Sequence, residues 1–191
     1  MSRDISKVTL RPGTVADVPA ALRLMDIAIE WLVAKGNTSQ WGSEPVSQNP
    51  ERIKQGVEFA ESGGMWLAVT THPENGGGDG GGGGGEERVV GALCVGGPMP
   101  YVKPAAEPEM YVKFLLTDRA WAGCGLGALL LDKARELARE AGVGLLRLDC
   151  FAGGDGKLVK YYESQGLTKT ETFVVEGWPG AVLEQRLDVQ A

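Results

Sequence analysis

Histidine, the usual proton carrier near neutral pH, is almost missing: His72 is the only one in 191 residues. It sits beside a glycine tract, which suits a solvated loop residue and makes it a poor general base. The deprotonating group of any enzyme built on this chain must then be a carboxylate, a water chain or solvent. Cysteine is nearly as scarce. Cys94, Cys124 and Cys150 are odd in number and far apart, without the spacing of metal ligands. This argues against a disulfide framework and predicts reduced thiols, no metal and a cytoplasmic setting. Basic charge is in short supply too. The net charge of −6 argues against a nucleic-acid partner, which would call for a basic face, and is compatible with cationic small substrates. No apolar run approaches the ~20 residues of a membrane helix, and the first residues hold no apolar signal core. The expectation is a soluble protein with no membrane partner.

What is present is an ordinary globular composition, 43% hydrophobic and 23% charged, long enough for one domain over residues 1–191 with a real core. Val8 and Leu10 alternate with polar residues over Lys7–Arg11, a first strand. Asp17 and Pro19 open a helix whose buried stripe is Val18, Ala21, Leu22, Met25, Ile29, Leu32 and Val33, with Gly36 ending it. Asn37–Asn49 reads as loop. Asn49-Pro50 starts a second helix with Ile53, Val57 and Ala60 on one face. Met65–Thr71 and Arg88–Val95 read as a hairpin. Between them Asn75–Gly85 is glycine except for Asn75 and Asp79. Such a tract loses too much backbone entropy on ordering, so composition predicts a flexible hairpin insertion.

Pro98–Pro108 is a proline-rich loop, and Met110–Leu116 is the next strand. Then comes Trp121-Ala122-Gly123-Cys124-Gly125-Leu126-Gly127, three glycines at alternate positions leading into a helix with Leu126, Leu129, Leu130, Ala134, Leu137, Ala138 and Ala141 on one face. A glycine cluster here is either a tight strand-to-helix turn or an anion site. In the second case backbone N–H groups converge and the helix dipole adds positive potential. Gly144–Cys150 reads as a strand, Lys157–Gln165 as a short helix, and Thr170–Glu176 with Ala181–Leu187 as a hairpin turning at Gly177–Gly180. The order is β-α-α-β-β-β-α-β-α-β-β, an α/β chain with a mixed sheet flanked by helices.

This order resembles the GNAT superfamily of acetyl-CoA-dependent N-acetyltransferases. Ala122–Gly127 is similar to its pyrophosphate loop, R/Q-x-x-G-x-G/A. Tyr161-Tyr162-Glu163-Ser164-Gln165-Gly166-Leu167 resembles its last helix, where a tyrosine stands four residues before a Gly-Phe pair. There are departures. The opening Arg or Gln is Ala122, the asparagine often found after the second strand is replaced by Gly153–Gly156, and the Gly-Phe pair is Gly166-Leu167.

The resemblance implies that Met110–Leu116 and Leu145–Cys150 are splayed parallel strands with the pantetheine arm of acetyl-CoA between them. Backbone groups of Leu115, Leu116 and Thr117 pair with that arm. Ala122, Gly123, Cys124, Gly125, Leu126, Gly127 and Ala128 form the pyrophosphate loop. The reaction it implies is direct attack of a primary amine, from a small molecule or peptide, on the thioester within a ternary complex. Tyr162 is the proton donor to the leaving thiolate, although a one-residue exchange of role with Tyr161 stays open. A monomer or a homodimer fits equally.

Other residues have competing readings. Glu109 and Asp118 flank the central strand without an assigned role. Asp149 reads as a turn or cap acceptor. Trp31, Trp41 and Trp66 read as core or interface packing before acceptor-pocket walls. A dinucleotide fold also matches Gly123-x-Gly125-x-x-Ala128, with Asp149 as the ribose acid. However, Thr117–Ala122 separates strand from glycine, and too little chain follows Asp149 for a doubly wound sheet. A non-catalytic acyl-CoA sensor of the same fold is the other alternative.

Overall fold

The computed structural model describes residues 3–71 and 87–189, so His72 and the Asn75–Gly85 tract lie outside the described residues. The expected order of elements is found. Strand β1 (Val8–Pro12) is followed by helices α1 (Val18–Ala34) and α2 (Pro50–Glu61). Next come β2 (Met65–Thr71), β3 (Glu87–Gly96), β4 (Met110–Thr117), α3 (Leu126–Glu140), β5 (Leu145–Phe151), α4 (Lys157–Ser164), β6 (Thr168–Val175) and β7 (Trp178–Arg186). The strands make one sheet in the order β1-β2-β3-β4-β5-β7-β6. Among the described strands only β4 and β5 run parallel, because only there does a single helix, α3, join neighbouring strands; β1 and β2 are joined through two helices and pair antiparallel.

Each face of the sheet is covered by helices whose apolar stripes demand it. Leu126, Leu130, Leu131, Ala134 and Ala138 of α3 pack with Leu93, Val112, Leu146 and Leu148, and α4 adds Tyr162 to the same core. On the other face, Ala21 and Leu24 of α1 meet Leu67, Val69, Ala92 and Leu116. The predicted stripe of α1 needs correction: Leu24 and Asp26 are buried, whereas Val33 is exposed. Asp26 escapes notice in a polarity pattern because its role is local. Its carboxylate accepts hydrogen bonds from the backbone of Val46 and Ser47, at 2.7 and 3.2 Å, and ties the long α1–α2 loop to the helix.

The last hairpin turns earlier than the sequence suggests. Trp178, Pro179 and Gly180 are strand residues, in register with Val175, Val174 and Phe173. The turn is only Glu176-Gly177, both with positive φ (49° and 82°), the two-residue connection whose twist suits a β-hairpin. Trp178 is thereby placed on the sheet rather than at a loop tip.

Two irregularities shape the centre of the molecule. The β4–β5 ladder holds only at Met110↔Leu146, Tyr111↔Arg147 and Val112↔Leu148, so the strands part just beyond Val112. At the same point the β3–β4 register shifts. Cys94 faces Phe114 and Val95 faces Val112, leaving Lys113 as an extra residue. A bulge of this kind adds local twist and bend, and it coincides with the separation of β4 from β5.

Candidate active site

The candidate anion-binding turn begins where β4 ends. The Asp118 side chain accepts from the Ala120 N–H and from Arg88 Nη2, both at 2.8 Å, which fixes a single 3₁₀ turn over Arg119–Trp121. Trp121, 5% exposed, plugs that turn into the core. Gly123 and Gly125 then take the left-handed conformation, with φ of 77° and 83°, which other residues adopt only at a cost. Helix α3 follows at once. The Cys124 N–H is bonded to the Trp121 carbonyl at 3.1 Å, and the first bond of the helix runs from Leu129 N–H to Gly125 O at 3.0 Å. Among the described residues nothing accepts from the N–H groups of Gly123, Gly125, Leu126, Gly127 or Ala128. Five donors thus stand open at the positive end of a 15-residue helix, the arrangement that takes a phosphate. The amide of Cys124 is used inside the turn and is not among these open donors. Ala122 is exposed and offers only a methyl group. The nearby Arg119 does not substitute for the missing cation, because its guanidinium is stacked 3.9 Å from the centroid of Trp31.

The gap between β4 and β5 has its own unpaired backbone. Asp118 N–H bonds Val90 O at 2.7 Å, and Val95 N–H bonds Gly64 O at 3.0 Å. In an antiparallel ladder hydrogen-bonded pairs alternate. These two bonds fix Leu116/Ala92 and Phe114/Cys94 as the bonded pairs of β4 with β3. The N–H and C=O of Leu115 and Thr117 therefore turn the other way, toward the space that β5 has left. The backbone groups of Leu116, by contrast, face β3.

Side chains populate the far side of the gap. Tyr162 of α4 is 8% exposed and packs in the core beneath Cys150. Burial, with the neighbouring Cys150, Tyr161 and Asp149, raises its phenol above the ordinary tyrosine value, so the proton is present at neutral pH. The hydroxyl makes no hydrogen bond among the described residues. Tyr161 meets Tyr162 edge to face, with centroids 5.2 Å apart, and points elsewhere. Its hydroxyl occupies the position where a Cβ on Gly127 would lie. The third glycine of the turn is thus a matter of close approach, and the two tyrosines have separate neighbourhoods.

Asp149 is the feature that the sequence understated. It stands on β5 just past the separation point and does not cap a helix. The Tyr111 hydroxyl donates to its Oδ1, and the Tyr101 hydroxyl donates to its Oδ2 at 3.4 Å. Burial raises its carboxyl above the usual range, with the two phenols partly opposing that shift. Tyr101 reaches it because the 98–109 loop is bolted down: Arg147 Nη1 donates to Glu109 Oε2 at 2.7 Å and to the Lys103 carbonyl at 3.1 Å. Glu109, unassigned from sequence, is therefore a structural partner buried with Arg147 (6% and 3% exposed side chains). From Asp149 an unbroken row of rings extends. Tyr101–Phe173 and Phe151–Trp178 are each 5.8 Å apart and Phe173–Trp178 6.0 Å. None of Trp31, Trp41 or Trp66 joins this row. Trp31 stacks on Arg119, Trp66 lies 3.9 Å below Lys133 Nζ, and Trp41 packs at the edge of the α1 core.

Among the described residues no helix is long and apolar enough to cross a membrane, and no three His, Cys, Asp or Glu side chains cluster as metal ligands. Residues 83–167 match the model of the Acetyltransferase (GNAT) family. Comparison with curated protein sequences found no match. Among solved structures, a GNAT-family acetyltransferase from Listeria monocytogenes 4b F2365 shares 21% identity, covers 94% of this chain and 95% of its own, and superposes with a TM-score of 0.65. yncA from Salmonella typhimurium, a provisionally assigned acetyltransferase with its cofactor acetyl-CoA, is 19% identical over 97% and 96% of the two chains, at a TM-score of 0.62. A ribosomal-protein-alanine N-acetyltransferase from Brucella melitensis is 23% identical over 94% and 99%, at 0.60. The match to the GNAT family model covers residues 83–167 only, and the sheet of seven strands has the GNAT fold.

Proposed function

We propose that this protein is an N-acetyltransferase that moves an acetyl group from acetyl-CoA to a primary amine by direct attack in a ternary complex. The observation that carries the reading is the joint presence of a phosphate-ready turn and a splayed strand pair. Five unclaimed amides (Gly123, Gly125, Leu126, Gly127, Ala128) lead into a gap where Leu115 and Thr117 present unpaired backbone. The amides suit a pyrophosphate, and the strand backbone suits the amide-bearing pantetheine arm. Acetyl-CoA would supply a thioester, an acyl group on a good leaving group. The chain supplies the rest: the turn anchors, the β4 edge orients, and Tyr162 holds a proton for the departing sulfur.

The chain works as a single domain over residues 1–191, as a monomer or homodimer in the cytoplasm; the unpaired Cys94 and Cys150, both buried, fit a reducing compartment. Ala122 favours a second reading, a sensor that binds acyl-CoA without turnover. Thermal unfolding with acetyl-CoA and with NAD tests the cofactor. Acetyl-CoA at about 100 times its Kd stabilises the fold by about 2.7 kcal/mol, and NAD gives no shift. A shift with NAD alone would revive the dinucleotide alternative. Release of free CoA thiol with a panel of amines then separates enzyme from sensor.

A further inference from the structure

We propose that the acceptor is a small cationic amine with an aromatic or apolar body, its ammonium received and deprotonated by Asp149 and its body laid along the rings of Tyr101, Phe173, Trp178 and Phe151. This rests on the acetyl-transfer reading and adds the substrate class and the base.

Placement carries the argument first. Asp149 and Phe151 are two residues apart on β5, so their side chains share a face. Both lie in the part of β5 that no longer pairs with β4, beside the opening where Leu115 and Thr117 present their backbone. Cys150, between them, points to the opposite face and packs with Tyr162. The carboxylate and the phenol of Tyr162 therefore flank the same opening from opposite sides of the sheet.

The chemistry of the carboxylate comes next. Each oxygen accepts one phenolic hydrogen bond, Oδ1 from Tyr111 and Oδ2 from Tyr101, and each keeps a further lone pair for an incoming N–H. Among the described residues no lysine or arginine forms an ion pair with it. The nearest guanidinium along the strand, Arg147, is engaged by Glu109 and the Lys103 carbonyl. An anion would be repelled here and a neutral head would leave the charge unanswered, whereas an ammonium answers it. Such a cation is also stabilised over ring faces. On approach of the amine one N–H bond breaks, its electron pair stays on nitrogen, and the proton passes to Asp149 and on to water. The nitrogen is then a nucleophile.

The ring row is built rather than incidental. Gly180 lies in register between Phe151 and Phe173, and a Cβ there would strike the Phe173 ring, with Cε1 at 2.7 Å. Gly153 makes the same room for Phe151, whose Cε1 would stand 2.9 Å from an added Cβ. Trp178 is held from the far side by a hydrogen bond from Nε1 to the Gln40 carbonyl at 2.8 Å, which brings the α1–α2 loop against this row.

The test compares two probes that differ in one group, 2-phenylethylamine and 2-phenylethanol, titrated calorimetrically into the full-length protein with CoA present. At pH 8 the amine binds at least tenfold more tightly, and Asp149→Asn removes that preference while leaving the acetyl-CoA melting shift unchanged. A second measurement needs no variant: on acidification the wild-type protein loses the amine but keeps its affinity for the alcohol. The other groups facing Asp149 are the phenols of Tyr101, Tyr111 and Tyr162 and the Cys150 thiol, all neutral in this range, with Arg147 and Arg52 beyond them. Equal affinity for the two probes, a preference that survives Asp149→Asn, or binding of neither with the acetyl-CoA shift intact overturns this inference alone. Absence of an acetyl-CoA shift in the wild-type protein overturns the underlying acetyl-transfer reading.

Discussion

The two halves of the candidate site are made of different material. The half proposed to hold the cofactor, from Leu115 to Ala128, would work through the backbone: two left-handed glycines, five open amides and a strand edge. It is contiguous in sequence and largely indifferent to what most side chains are. The acceptor half works through side chains drawn from β4, β5, α4, the β6–β7 hairpin and the loop carrying Tyr101. It holds its shape only through long-range tethers such as Arg147–Glu109 and Trp178–Gln40. Backbone sites are fixed locally, whereas side-chain sites depend on the whole fold. That difference predicts which perturbations each half will tolerate.

The largest expected effect falls on a tether. Glu109→Ala leaves the guanidinium of Arg147 buried without its main partner, a loss of about 3–5 kcal/mol. A urea melt measures it directly. If the comparison holds, the part of the population still folded binds acetyl-CoA normally, because the glycine turn does not touch this pair. Next is Gly125→Val. Nothing lies within 4 Å of a Cβ at this position, so no clash is involved. The cost is conformational, since φ of 83° is strongly disfavoured for a branched residue. The backbone relaxes and re-aims the amides of Gly125 and Leu126. The melting shift from acetyl-CoA, worth about 2.7 kcal/mol at 100 times Kd, then disappears while the apo protein stays folded. A retained shift would mean that the turn does not hold the cofactor.

The same contrast explains what the sequence reveals. Glycines at alternate positions before a helix are visible in one dimension because the chemistry they serve is local, and the order of elements follows from periodicity alone. The bulge at Lys113 is invisible, since it arises from pairing with β3; so Leu116 looks as available as Leu115 and Thr117. Asp149 looks like an ordinary strand-end acid until Tyr111 and Tyr101 are brought to it across 38 and 48 positions of chain. The one available signal was Trp178 beside Pro179 and Gly180. A Glu-Gly pair can turn a hairpin by itself, which leaves Trp178, Pro179 and Gly180 to the strand.

Tyr162→Phe probes the acceptor half where the two halves meet. It deletes one oxygen from a ring that stays packed, so folding and acetyl-CoA binding change little. Loss of a general acid lowers kcat by ~10²-fold. Tyr161→Phe is the control. Its hydroxyl lies against Gly127 in the cofactor half, and its removal should leave kcat nearly unchanged and alter only acetyl-CoA affinity. A large kcat effect at Tyr161 and a small one at Tyr162 would exchange the two roles.

The smallest expected effect carries the opposite sign. Burial raises the carboxyl of Asp149 in the folded protein, so the folded state takes up this proton more readily than the unfolded chain does. By linkage, the stability associated with the group is fully present below the unfolded-state value and is lost as pH rises through the folded-state value. At neutral pH the wild-type protein therefore holds a charge that destabilises it. Asp149→Asn removes that charge at nearly constant shape and keeps an acceptor for Tyr111. Its melting temperature at pH 7 should be equal to the wild-type value or above it by up to about 2–4 °C, the shift that about 1 kcal/mol makes in a domain of this size. The gain should shrink as the pH is lowered through the folded-state value, because the wild-type carboxyl then becomes neutral too. No comparable trade is expected in the cofactor half: Gly125→Val changes binding without lifting stability at any pH. A melting temperature clearly below wild type at pH 7 would show that the two phenolic hydrogen bonds outweigh the burial of the charge, making Asp149 a structural acceptor. A rise accompanied by loss of turnover would show that the fold retains an unfavourable charge at the opening between β4 and β5 because the reaction requires it.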